Sequence, residues 1–146
     1  MSAANATDKD NCLTGVVIHL AEDEFINQRM MTAFLEEMGA CVIVSENGRQ
    51  LLENLEKKSG HLIIMDIRMP VMDGIEATTI IREREKIFGG RIPVIALTAQ
   101  ETTDHQQLCL EAGMDAYLTK PVILEDLTSE ITRLCQSMPF EPSRTD

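Results

Sequence analysis

Glu22, Asp23, Asp66, Thr98 and Lys120 are the residues of this 146-residue chain whose types and places suit chemistry. Asp66 ends the apolar run Leu62-Ile63-Ile64-Met65, and Glu22-Asp23 follows the run from Val16 to Ala21. Short apolar runs bounded by turn residues read as buried strands, so the three acids fall at strand exits. Thr98 follows the run Pro93 to Leu97, and Lys120 comes just after Ala116 to Leu118. Clustered carboxylates repel, so a cluster implies a cation or a reaction. Three carboxylates supply hard oxygen ligands that suit Mg2+ or Mn2+. Lys120 adds a mobile point charge for an anionic group, and Thr98 adds a hydroxyl donor. Around one carboxylate these groups make a phosphoryl site, with the carboxylate as nucleophile and an aspartyl-phosphate as product.

Such convergence needs a fold that brings distant strand exits to one edge. Strand-like runs alternate with helix-like segments along the chain. The strands are expected at Val16 to Ala21, Cys41 to Val44, His61 to Met65, Pro93 to Leu97 and Ala116 to Leu118. Helical spacing follows each one. Ile26, Met30, Ala33, Phe34 and Met38 mark the first helix, with Met30 and Met38 expected in the core beside Met65 and Met114. The second helix is expected over Gly48 to Lys57. The third runs over Ile75 to Phe88, with Ala77, Ile80, Ile81 and Phe88 inward and Asp73 as its cap. The fourth covers Thr103 to Ala112, closed by Gly113. Leu124, Leu127, Ile131, Leu134 and Cys135 mark the fifth. This alternation predicts an α/β fold, a five-stranded parallel doubly wound sheet in flavodoxin-like order 2-1-3-4-5 with helices on both faces. Its switch point lies between strands 1 and 3, where Glu22, Asp23 and Asp66 fall.

Composition narrows the function classes. Hydrophobic residues are 44% and charged residues 25% of the chain, the mix of a globular domain. A formal net charge of −11 disfavours direct nucleic-acid binding and suits cations or basic partners. No apolar run is long enough to span a membrane, and a cytoplasmic setting is expected, either alone or as the cytoplasmic part of an anchored sensor. Cys12, Cys41, Cys109 and Cys135 lack metal-ligand spacing and read as reduced thiols, at least two of them in the core. His19 and His61 lie in or beside strands and read as structural. The expected division is a flexible segment over 1–14, one domain over 15–136 and a tail or linker over 137–146.

The set Glu22-Asp23, Met65-Asp66, Met69-Pro70, Asp73-Gly74, Ala96-Leu97-Thr98-Ala99 and Lys120-Pro121 resembles the receiver domain of two-component response regulators. The likeness runs from about Val16 to Cys135, and its wording is similar to receivers attached to hybrid sensor histidine kinases. The resemblance implies that Asp66 is the phosphoacceptor, Asp23 the direct metal ligand and Glu22 its helper. It implies the backbone carbonyl of Arg68 as a further ligand and Lys120 as the phosphoryl group's charge partner. Thr98 and Tyr117 become the switch hydroxyl and switch aromatic, and Lys120-Pro121 a cis peptide. The implied partner is a histidine kinase or a histidine phosphotransfer domain. A homodimer through the surface of the fourth helix, fifth strand and fifth helix stays open. Such a chain is a phosphoacceptor with self-dephosphorylation rather than a turnover enzyme.

Other readings compete. Singly, Asp66 could cap a turn, Lys120 could be a solvated surface lysine, Thr98 could reflect strand propensity and Tyr117 could be a core aromatic. A haloacid-dehalogenase-type phosphohydrolase shares the aspartate, Mg2+, threonine and lysine, but needs a general acid where Arg68 stands. A flavin-binding domain needs a phosphate cradle where Ala21-Glu22-Asp23-Glu24 is acidic. A receiver-like module that binds without being phosphorylated would not need all five site groups.

Overall fold

A computed structural model describes residues 12–99 and 102–137. The expected N-terminal segment falls largely, and the C-terminal tail almost wholly, outside these residues. The strands are β1 (Val17–Ala21), β2 (Cys41–Ser45), β3 (Leu62–Asp66), β4 (Val94–Thr98) and β5 (Ala116–Thr119). The helices are α1 (Phe25–Glu37), α2 (Gly48–Lys57), α3 (Gly74–Phe88), α4 (Thr103–Ala112) and α5 (Leu124–Ser137). All pairings are parallel, and the sheet order is β2-β1-β3-β4-β5, as the alternation predicts.

The apolar runs are nearly continuous because both faces of the sheet are covered. Side chains alternate along a strand, so β3 sends Leu62 and Ile64 to one layer and Ile63 and Met65 to the other. The first layer adds Ile18, Leu20, Ile95 and Leu97, packed on Met31 and Leu35 of α1 and Leu127 and Ile131 of α5. The second packs Val94 and Ala96 against Leu51 and Leu52 of α2, Ala77 and Ile81 of α3, and Cys109 of α4. Each fully buried Leu or Ile stabilises the fold by roughly 1.5–3 kcal/mol.

Helix ends are set by local chemistry. Asn47 caps α2 by accepting from the Gln50 N–H at 2.9 Å, and Thr102 caps α4 by accepting from His105 N–H at 3.1 Å. Gly113 closes α4 in the left-handed region, at φ 103°. At the N-terminal end of the strands, Arg82 donates to the carbonyls of Gly113 and Ile92 and pairs with Asp115 at 2.9 Å, tying α3 to the end of α4 and the start of β5.

Three expectations are corrected. Ile26 and Met30 are 77% and 46% exposed, and Ala33 is exposed too; α1 buries Met31 and Leu35 instead. Phe25 to Leu35 carries apolar residues on more than one side, so spacing alone does not choose the inward face. Phe88 is 82% exposed, because α3 has run past the end of the sheet there. Of the cysteines, only Cys109 is buried; Cys135 packs partly against the first layer, and Cys12 and Cys41 are exposed.

The structural reading of the histidines holds. His61 Nδ1 accepts the Val17 N–H at 2.9 Å. His19 is fully buried, and its Nε2–H donates to the Lys58 carbonyl at 2.8 Å. Its Nδ1 has no hydrogen-bond partner. Burial holds the His19 pKa below the ordinary 6.5, and the Lys58 carbonyl only partly offsets this. The unfolded chain therefore takes up the proton first, so His19's contribution is whole above 6.5 and is lost as pH falls toward the lowered folded value. Relative to His19→Gln, which keeps a donor for Lys58, the wild type's unfolding free energy from urea titrations is expected to lose ground as pH falls from about 7.5 to 5.5.

Candidate functional site

The parallel sheet delivers five strand ends to one edge, and the expected polar residues meet there. Asp66 is the last residue of β3 and is 5% exposed. Lys120 follows β5 directly, and its backbone N–H donates to the Thr98 carbonyl at 2.7 Å, which fixes the two strand ends together. From that base, Lys120 Nζ reaches Asp66 Oδ2 at 2.8 Å and Glu22 Oε1 at 3.4 Å. The peptide between Lys120 and Pro121 is cis.

The β3–α3 turn holds the Asp66 carboxylate from the other side. The Arg68 N–H donates to Asp66 Oδ1 at 3.2 Å. The Gly74 N–H donates to the Ile67 carbonyl at 2.8 Å, drawing the start of α3 onto the strand exit. A Cβ at Gly74 would lie 2.6 Å from the Asp66 carbonyl oxygen, so glycine is required by close approach rather than by backbone angle. Asp73 caps α3 as expected, accepting the Glu76 N–H at 2.8 Å.

Glu22 is fully buried, and Asp23 is exposed at the rim. The Glu22 backbone is held by its N–H to the Ser45 carbonyl at 3.0 Å and by the Gln28 amide donating to its carbonyl at 2.6 Å. Its Oε2 accepts the Glu24 N–H at 3.1 Å. Its Oε1 makes the longer ionic contact with Lys120 but has no aligned hydrogen bond. Carboxylate oxygens of Glu22, Asp23 and Asp66 lie within 4.8 Å of one another. An all-oxygen set with one buried oxygen left without a hydrogen bond fits a hard divalent cation.

Electrostatics follow from this crowding. Burial pushes the Glu22 carboxyl up to about 6; the Asp66 charge pushes the same way, while the Glu24 N–H and Lys120 oppose it. Burial alone would lower the Lys120 pKa, yet its bond to Asp66 and the charges of Asp66 and Glu22 raise it. Lys120 is thus a committed ammonium.

Thr98 ends β4 and is 3% exposed. Tyr117 is half-buried on β5 and packs against the second apolar layer. Arg68 is exposed and lines an open cleft with Asp23, Met69, Asp73 and His105. Two contacts had no signal in the sequence. Gln28 reaches Glu22 from α1, and His105 Nε2 lies 2.9 Å from Thr98 Oγ1. Both depend on where a helix start lands, which no periodicity encodes.

Comparison with known proteins places this geometry. The response regulator receiver domain profile matches residues 18–132. Histidine kinase 1 of Arabidopsis thaliana is 36% identical over 90% of this chain, which spans 14% of that protein's length. Among solved structures, the receiver domain of the Saccharomyces cerevisiae response regulator Ssk1, crystallised with the histidine phosphotransfer protein Ypd1, has a TM-score of 0.79 at 31% identity; the match covers 87% of this chain and 95% of that one. The receiver domain of a sensor histidine kinase from Pseudomonas aeruginosa, with magnesium in its active-site cleft, has a TM-score of 0.73 at 38% identity, covering 82% and 97%.

A buried Glu22 with a raised pKa is destabilising when ionised: its contribution is fully present below 4.5 and is lost as pH rises through about 6. Glu22→Gln is therefore expected to raise the thermal midpoint in EDTA at neutral pH, and to weaken Mg2+ binding followed by titration calorimetry.

Proposed function

The chain belongs to the response regulator receiver domain family, and we propose that it is a phosphorylation-controlled switch whose acceptor is Asp66. The observation that carries this is the nearly buried Asp66 carboxylate held by Lys120 at 2.8 Å, beside an acidic pair with an oxygen to spare. An Asp66 oxygen attacks the phosphorus of a phosphohistidine. The new O–P bond forms as the P–N bond breaks, and the departing imidazole takes up a proton.

Glu22, Asp23 and Asp66, with the Arg68 carbonyl, are the residues proposed to hold Mg2+; Mn2+ meets the same oxygen chemistry. The cation supplies positive charge against the transferring oxygens. Lys120 already points at Asp66 and neutralises the charge the phosphoryl group brings. The Thr98 hydroxyl turns to a phosphoryl oxygen, and Tyr117 on the neighbouring strand follows. The acceptor unit spans 15–136, with 1–14 and 137–146 as connecting segments.

The donor is a histidine kinase or a histidine phosphotransfer domain, the second being the kind of protein crystallised with the yeast relative. The setting is cytoplasmic, in keeping with unpaired cysteines; among the described residues no helix is long and apolar enough to cross a membrane. Exposed Leu110 and Ile123 offer apolar contacts to a second copy on the surface of α4, β5 and α5. The role is that of an acceptor that carries a signal rather than a catalyst with a released product.

Incubation with acetyl phosphate and Mg2+ is expected to add the mass of one phosphoryl group to the wild type and none to Asp66→Ala. An equal gain in Asp66→Ala places the acceptor elsewhere. Arg68, at the mouth of the cleft, is proposed to set lifetime: Arg68→Ala is expected to change the aspartyl-phosphate half-life, and equal half-lives rule that out.

A further inference from the structure

His105 belongs to the first turn of α4, where its backbone N–H is committed to the capping hydroxyl of Thr102. The ring is half-buried and faces the sheet edge, where Nε2 lies 2.9 Å from Thr98 Oγ1. In either ring tautomer, one hydrogen-bonding direction of the Thr98 hydroxyl is committed to α4. The same imidazole lines the cleft that Asp23 and Arg68 open onto. The side chain that ties the β4 exit to the first turn of α4 thus also stands at the rim of the acceptor site.

We propose that His105 is a positioning residue, a latch that ties the Thr98 hydroxyl to α4 until Asp66 carries its phosphoryl group. The inference rests on the phosphoacceptor reading of Asp66 and deepens it. Thr98 is 3% exposed, so its hydroxyl must exchange one partner for another rather than turn into water. When the phosphoryl oxygens recruit that hydroxyl, the His105 ring loses its partner. The first turn of α4 then has one tie fewer to the sheet. Loading of Asp66 and the position of α4 are coupled through this one exchange, because Thr98 Oγ1 stands either within reach of the His105 ring or beside the phosphoryl oxygens, and not at both places.

The full chain is tested with acetyl phosphate and Mg2+, with the rate of phosphoryl gain read by intact mass. His105→Leu removes the latch and is expected to load Asp66 about fivefold faster, the shift that one net hydrogen bond carries. His105→Gln, whose amide can hold the hydroxyl, is expected to return the rate to near that of the wild type. On a Thr98→Ala background His105→Leu is expected to change nothing further, a result that a merely structural histidine would not produce. His105→Ala is run in parallel, and thermal midpoints identify any variant that does not fold. Loading of both His105→Leu and His105→Ala at or below the wild-type rate overturns the latch, as does an acceleration that persists without the Thr98 hydroxyl. A wild type that gains no phosphoryl group overturns the acceptor reading itself, and the latch with it.

Discussion

The ion pair between Lys120 and Asp66 is the contact on which the site depends. Three carboxylates with oxygens within 4.8 Å of one another repel, and one of them, Glu22, is wholly removed from water. A single ammonium, with its side chain 22% exposed, stands among them. It does not neutralise the group, and burial first, with the Asp66 charge adding to it, makes Glu22 resist ionisation, with its pKa raised to about 6. The site is thereby prepared for positive charge from outside. This is a structural tension that burial creates and that a cation relieves.

Everything around the pair serves to hold it in place. Lys120 is fixed through its backbone to Thr98, Glu22 through Ser45 and Gln28, and Asp66 through Arg68 and the approach of Gly74. These anchors and the residues they hold lie at the ends of all five strands and at two helix starts, none of which is stable alone. The two apolar layers supply the cohesion that the charged edge lacks. The opposite end of the sheet is secured by Arg82 and Asp115 at a distance from the acidic cluster. A rigid body with one strained edge can convert a local charge change into movement of the surface next to it, and Thr98 with His105 lies on that boundary.

Much of this was legible in the order of residues. Each strand is a short apolar run closed by turn chemistry, and the observed ends differ from the expected ones by at most one residue, as where β4 begins at Val94 rather than Pro93. The inward face of α1 was not legible. Phe25, Ile26, Met30, Met31, Phe34 and Leu35 surround much of the helix, so hydrophobicity had no unique direction, and the packing of the first layer chose Met31 and Leu35. Phe88 shows the same ambiguity at a helix end, where being apolar says nothing about whether any sheet remains to cover it.

The chain's own order is enough to specify a parallel α/β sheet and to put acids, a hydroxyl and an amine at its strand exits, because strand periodicity and turn residues are local properties. It also carries the receiver likeness of the whole set. Distances between those groups are not local. That Lys120 meets Asp66 rather than water, that Glu22 keeps an unsatisfied oxygen, and that His105 finds Thr98 all follow from where α4, α5 and the strand ends come to rest. Those positions are set by the packing of two apolar layers between residues far apart in the chain, and only the folded molecule contains that information.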